Sequence, residues 1–313
     1  MPLCVFDVYP DGTTKTPDDM ALTGPGSYRW WHFDLSDTGF APWATQHLAP
    51  IPAGTLLQDE TRPRCDRYND GLLLNLRGIN MNTGQDADEM ISVRMWVETG
   101  AIVTVRRQKV FAIDTIRQSA QAQTAPPTVA AFLETLITSL TLRIQQEVAR
   151  IDAIADFYED DLEDRATPLP PDLADNRRSV IRLRRYLEPQ RIALTKLAAI
   201  DLPILPEPSA LQLRELANRS TIAVEELDAL RDRLVSVSEE HENLIAQRMA
   251  RHSYAISIAA AVFLPLSFIT GLFGVNVAGM PGVESPAAFA ILCLSMVAMA
   301  AALLVILKLT RWI

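Results

Sequence analysis

The C-terminal end of the chain limits its fold most. Tyr254 to Phe273 reads YAISIAAAVFLPLSFITGLF, 20 residues without a charge, and Pro286 to Leu307 forms a second uncharged run. At 1.5 Å rise per residue the first run spans about 30 Å as a helix, the thickness of bilayer hydrocarbon. A buried core helix can be as apolar. Two such lengths separated only by residues 274–285 instead form the pattern of a transmembrane hairpin. Residues 253–313 are therefore expected to be a membrane hairpin, with spans at about 254–273 and 286–307. Arg248, Arg251 and His252 precede the first run and Lys308 and Arg311 follow the second, while the connection GVNVAGMPGVES holds no base. The positive-inside bias then puts both termini in the cytoplasm and loop 274–285 outside.

Almost all charge lies before that hairpin. Of 38 acidic and 29 basic residues only Glu284, Lys308 and Arg311 follow His252, leaving 37 against 27 in the preceding segment. Such an acidic surface argues against a nucleic-acid partner. It would concentrate cations, or merely keep the domain soluble, and charge alone leaves both open. Cys4, Cys65 and Cys293 are far apart, so neither a disulfide framework nor a structural zinc site is signalled. The chain has no GxxxxGK[ST], GxSxG or HExxH motif, and His32, His47, His241 and His252 are scattered. The expectation is a protein that is not an enzyme and has no resident cofactor.

Residues 1–125 read as an α/β domain. Arg64 to Tyr68, Gly71 to Ile79, Ile91 to Glu98 and Ala101 to Arg107 carry strand patterns, the last two joined by a Thr99-Gly100 hairpin turn. Phe111 to Gln123 reads as a helix stopped by Pro126 and Pro127. Residues 126–252 read as long helices. One opens at Thr128 and ends near Thr167-Pro168; a second, from about Asp172 to Asp201, packs antiparallel to it. In the third, Leu213, Leu216, Ser220, Ala223, Leu227, Leu230, Leu234, Val237, His241 and Leu244 alternate steps of three and four, a heptad seam. His241 on that seam is expected to be packed rather than metal-bound. Neither glycine nor proline occurs from Ser209 to Leu264, so one helix of roughly 95 Å can run from Ser209 to Phe273 and carry cytosolic motion into the membrane. Asp152, Asp156, Glu159, Asp160, Asp161, Glu163 and Asp164 cluster at the end of the first long helix without the EF-hand spacing. They suit a solvated tip or weak cation attraction, with Arg177, Arg178, Arg182, Arg184 and Arg185 placed to neutralise them.

The first span has more polar character than an anchor needs. Pro265 can kink it, and Ser257, Ser267 and Thr270 place hydroxyls among apolar neighbours. Ser253, Ile256, Ala260, Leu264, Ser267 and Gly271 share one face, which suits either close helix packing or a pore lining. Two spans cannot enclose a pore, so conduction requires several copies around an axis. His252 at the membrane entry is a candidate proton-sensitive group or simply an interfacial residue. In Gly271-Leu-Phe-Gly-Val-Asn276 the glycines free backbone carbonyls and Asn276 adds an amide oxygen, a set suited to a cation that keeps several waters.

With Gly274-Val275-Asn276 ending the first span, the chain resembles the CorA metal ion transporter superfamily over essentially its whole length. The magnesium branch carries GMN there. GLFGVNVAGMPG (271–282), RYNDGLLLNLRGIN (67–80) and ISVRMWVETGAIVTVRR (91–107) are similar to the ZntB zinc transporter branch. The resemblance implies a homopentamer in a bacterial inner membrane, with an α/β cytosolic domain leading into a helical funnel. It implies an entrance ring at Gly274 and Asn276, with Val275 between them, and a conduit lined by Ser253, Ile256, Ala260, Leu264 and Ser267. Membrane lipids and divalent metal ions would be its partners, with zinc uptake, coupled to a proton gradient, as the implied function. A magnesium, cobalt or nickel channel of the same architecture, and a membrane-anchored coiled-coil scaffold, stay open as alternatives.

Overall fold

The computed structural model describes residues 1–163, 170–275, 280–282 and 285–309. Along the chain come β1 (Cys4–Val8), β2 (Thr14–Lys15), β3 (Tyr28–Asp34), α1 (Phe40–His47), α2 (Pro50–Leu56), β4 (Arg64–Tyr68), β5 (Gly71–Gly78), β6 (Ile91–Glu98), β7 (Ala101–Arg106), α3 (Phe111–Gln121), α4 (Val129–Glu163), α5 (Leu173–Ala199), α6 (Glu207–Phe273) and α7 (Ala288–Leu309). They form two compact units, Met1–Ser238 and Glu239–Ile313.

In the first unit one sheet has the order β2-β1-β3-β7-β6-β5-β4. Strands β4 to β7 form an antiparallel meander, and the β6–β7 turn uses Gly100 at φ +84°, a conformation that excludes most side chains. Strand β3 lies parallel to β7, with Arg29 opposite Ala101. Its sequence YRWWHFD is buried on both faces because both faces carry helices. Tyr28 and Trp30 enter the core shared with α3 and α4, whereas Trp31 and Phe33 pack on Phe40 and Trp43 of α1. The polar members of β3 find partners inside the unit, although His32 Nε2 is left without one. Arg29, 1% exposed, donates to both carboxylate oxygens of Asp7 at 2.6 and 2.9 Å and also pairs with Asp19. The Nδ1 of His32 meets Thr104 Oγ1 at 2.8 Å, and burial, assisted by nearby Arg106, lowers the imidazole pKa to about 4.

Helices α4 and α5 run antiparallel. At one end Asn176 Nδ2 donates to Tyr158 Oη at 2.8 Å; at the other, Leu140 packs beside Gly78 while Gln190 Oε1 accepts the Arg77 backbone N–H at 2.7 Å. The seam of α6 is buried at every position from Leu213 through Val237 and at His241. From Ala223 through Val237 it packs in one core with Ile144, Val148 and Ile151 of α4 and Val180, Leu183 and Leu187 of α5. The heptad is therefore consumed within one chain, which removes the feature that favoured a coiled-coil scaffold between copies.

The acidic end of α4 is neutralised from an unexpected side. Arg233 of α6 pairs with Asp152 at 2.6 Å, Glu159 at 2.8 Å and Asp156. The arginines of α5 pair elsewhere: Arg178 with Asp175, Arg182 with Asp88 and Arg184 with Asp228. Sequence proximity favours Arg177 to Arg185, but the bundle places Arg233 alongside α4 instead. The side chains of residues 161–163, and residue 164, lie outside this description.

Candidate functional site

Helix α6 runs unbroken through Arg251, His252 and Pro265, 67 residues or about 100 Å in length. Its apolar window has mean hydropathy 2.1 and that of α7 has 2.8; both helices are long and apolar enough to cross a membrane. Within the second unit they pack along narrow stripes. On α6 the half-buried positions are Ile258, Val262, Pro265, Leu266 and Ile269; on α7 they are Ala288, Leu292, Met296, Met299, Ala300, Leu303 and Leu307. Ile269 and Phe273 line one cleft with Ala288 and Leu292.

At about 100° per residue, the α6 stripe lies on the side opposite Ser253, Ile256, Ala260, Leu264, Ser267 and Gly271. All six of those residues are exposed, Ile256 at 70% and Leu264 at 67%. The face singled out in the sequence is thus not the one used to bind α7. Pro265 belongs to the α7 side, where its missing N–H is set against the packed stripe. Two hydroxyls in the span are bonded to their own helix: Ser257 Oγ donates to Ser253 O at 2.9 Å, and Thr270 Oγ1 to Ser267 O at 3.0 Å and Leu266 O at 3.1 Å. Their donors are spent internally, so the oxygens can present only lone pairs outward.

The two glycines at the end of the helix differ. Gly274 donates to Thr270 O at 2.9 Å and closes the last turn, and a Cβ there would sit 3.0 Å from that same oxygen. A Cβ at Gly271 would meet nothing within 4 Å. Val275 is exposed, and Asn276, the amide proposed for the entrance ring, lies outside the described residues. His252 is exposed. Among the described residues no group of three or more His, Cys, Asp or Glu side chains could hold a metal ion. Burial raises the thiol pKa of Cys4 and Cys65 to about 12, which leaves them protonated rather than ligating.

The family profile described as CorA-like Mg2+ transporter protein matches residues 25–309. The chain belongs to that family. Among relatives of this CorA-like chain, zinc transport protein ZntB of Yersinia enterocolitica is 32% identical over 304 residues, covering 96% of this chain and 92% of the relative. Divalent cation transporter CmaX of Pseudomonas aeruginosa is 33% identical over 277 residues, covering 86% and 83%. A solved full-length CmaX structure superposes with TM-score 0.87 at 30% identity, covering 99% of this chain and 98% of that one. The CorA-like architecture expected from the long helix and terminal hairpin is therefore the architecture observed.

Proposed function

We propose that this protein is a zinc transporter that works as a homopentamer in a bacterial inner membrane, with residues 253–271 of α6 lining a central pore. The observation that carries the pore reading is that the face of α6 with Ser253, Ser267 and Gly271 lies opposite the stripe packed on α7. An anchor hairpin needs only the packed stripe; a lining helix needs a second face for the axis. Zinc as the ion is supported by relatives named for zinc transport. In this reading residues 1–125 form the cytosolic α/β domain and 126–252 the funnel, with both termini cytoplasmic and metal moving inward. Hydrated cations meet the ring at Gly274 and Asn276, and Ser253, Ile256, Ala260, Leu264, Ser267 and Gly271 form the conduit. Weak oxygen contacts suit an ion that must be released. His252 is the titratable group nearest the start of the conduit and the first to test for proton coupling.

The deciding experiment is metal flux into proteoliposomes holding the full-length protein, comparing zinc with magnesium, each with and without an inward proton gradient. Zinc flux that rises with the gradient, with little magnesium flux, is the expected result. Gradient-independent magnesium flux would replace the zinc reading with a magnesium channel. Asn276→Ala should lower flux while the oligomer, followed by light scattering, stays intact.

A further inference from the structure

A second feature lies wholly within the first unit. A cavity of about 670 Å³ opens between the loop after α2, the β5–β6 end of the sheet and α5, and six arginines line it: Arg62, Arg77, Arg94, Arg107, Arg182 and Arg185. That volume falls in the range of small-molecule sites. Among the described residues only Arg182 of the six makes an ion pair, with Asp88 at 2.8 Å. The two at the floor are held by neutral carbonyls instead. Arg94, 1% exposed, donates to Leu56 O at 3.3 Å and Asp59 O at 3.0 Å, while Arg77 donates to Thr61 O at 2.8 Å and to Met90 O and lies 4.0 Å from the Tyr186 ring centroid. Carbonyl bonds orient a guanidinium without cancelling its charge.

Both floor groups also keep a buried Nε without a partner. Burial, and repulsion from neighbouring arginines, lowers the pKa of each, without discharging so strong a base. Opposing them is one buried carboxylate, Asp88, with an unpartnered Oδ1; Asp59, Glu60 and Glu89 are exposed at the rim. Six arginines thus face four carboxylates, Asp59, Glu60, Asp88 and Glu89, around the cavity, in a chain whose net charge is −9. A buried, oriented and uncompensated arginine is costly unless something anionic completes it.

We infer that this cavity binds a phosphate-bearing anion, gripped between the Arg77 and Arg94 floor and the exposed guanidiniums of Arg62 and Arg185. Planar forked donors match the oxygens of a phosphate group, and a site of this kind lets the cytosolic unit read the level of a phosphorylated solute. The source of the phosphate is decided by two arms, inorganic phosphate and ATP, titrated by calorimetry into the full-length protein in detergent at constant ionic strength. Binding of inorganic phosphate alone marks a free-anion site; binding of ATP without inorganic phosphate marks a nucleotide.

The double variant Arg62→Ala, Arg185→Ala changes only exposed side chains and should weaken binding at least about tenfold. Arg94→Lys keeps the charge but loses the fork, and should weaken binding with circular dichroism unchanged. If Arg94→Lys unfolds, the rim double variant decides alone. Absence of binding for both anions, or binding that the rim variant leaves unaltered, overturns the inference. Neither outcome touches zinc flux, so it stands or falls apart from the transport reading.

Discussion

A single hydrogen atom's replacement separates Gly274 from Gly271. At Gly274 a methyl group would press on Thr270 O at 3.0 Å, so Gly274→Ala should loosen the last turn of α6 and lower the melting temperature. The methyl of Gly271→Ala has open space within the chain, so folding should be unchanged. If position 271 lines a pore, that same variant lowers zinc flux at constant oligomer yield, which liposome assays and light scattering can separate. His32 provides a second prediction at this scale. Its folded pKa, about 4, lies below the ordinary value of 6.5, so the unfolded chain binds the proton first. The stability tied to neutral His32 is complete above pH about 6.5 and is lost as pH falls towards 4, up to about 3 kcal/mol. His32→Gln should flatten that part of the stability–pH curve, as read by denaturant titration.

Helices α4, α5 and α6 depend on the interior seam more than on their visible charges. Leu227 is fully buried among them, and Leu227→Ala should cost about 2–5 kcal/mol. Arg233 bonds three carboxylates, yet those carboxylates are 44–62% exposed. Arg233→Ala should therefore cost only about 1 kcal/mol, and less as salt is added; melting curves at low and high ionic strength check the sign. The seam was legible in the sequence because steps of three and four survive any tertiary arrangement. Strands β4 to β7 were legible too, because short apolar runs such as Leu72 to Leu76 and Ala101 to Val105 are bounded by turn residues. Strand β3 was not: buried on both faces, YRWWHFD shows no alternation, and its Arg29 and His32 look like surface residues until Asp7 and Thr104 are beside them. Helix α2, PIPAGTL, carries two prolines and a glycine and has no helical signature. The pairing of Arg233 with α4 spans 74 to 81 positions, beyond any local rule.

For the molecule as a whole, the continuity of α6 through Arg251 is the property on which coupling between soluble and membrane units would depend. A Gly-Pro insertion beside Met249, where the helix is exposed, should leave assembly intact and uncouple the two, seen as altered zinc flux with the melting of the first unit unchanged. That Ser253, Ile256, Ala260, Leu264, Ser267 and Gly271 share one face was legible in the sequence, and the structure adds that α7 occupies the opposite stripe. The arginine cavity had no sequence signature, since its members come from the loop before β4, from β5 and β6, from the residue after β7 and from α5, and are gathered only by the fold.

The parallel pairing of β3 with β7 also bears on how the protein is made. Arg29 must wait for Ala101, and Asp34 for Arg106, before the middle of the sheet can close. A chain emerging from the ribosome thus exposes Trp30, Trp31 and Phe33 on a strand with one open edge until more than seventy further residues have been synthesised. For that interval the aromatic strand lacks its β7 neighbour, and slowing translation after β3 should prolong that exposure rather than aid folding, read as a lower yield of soluble chain.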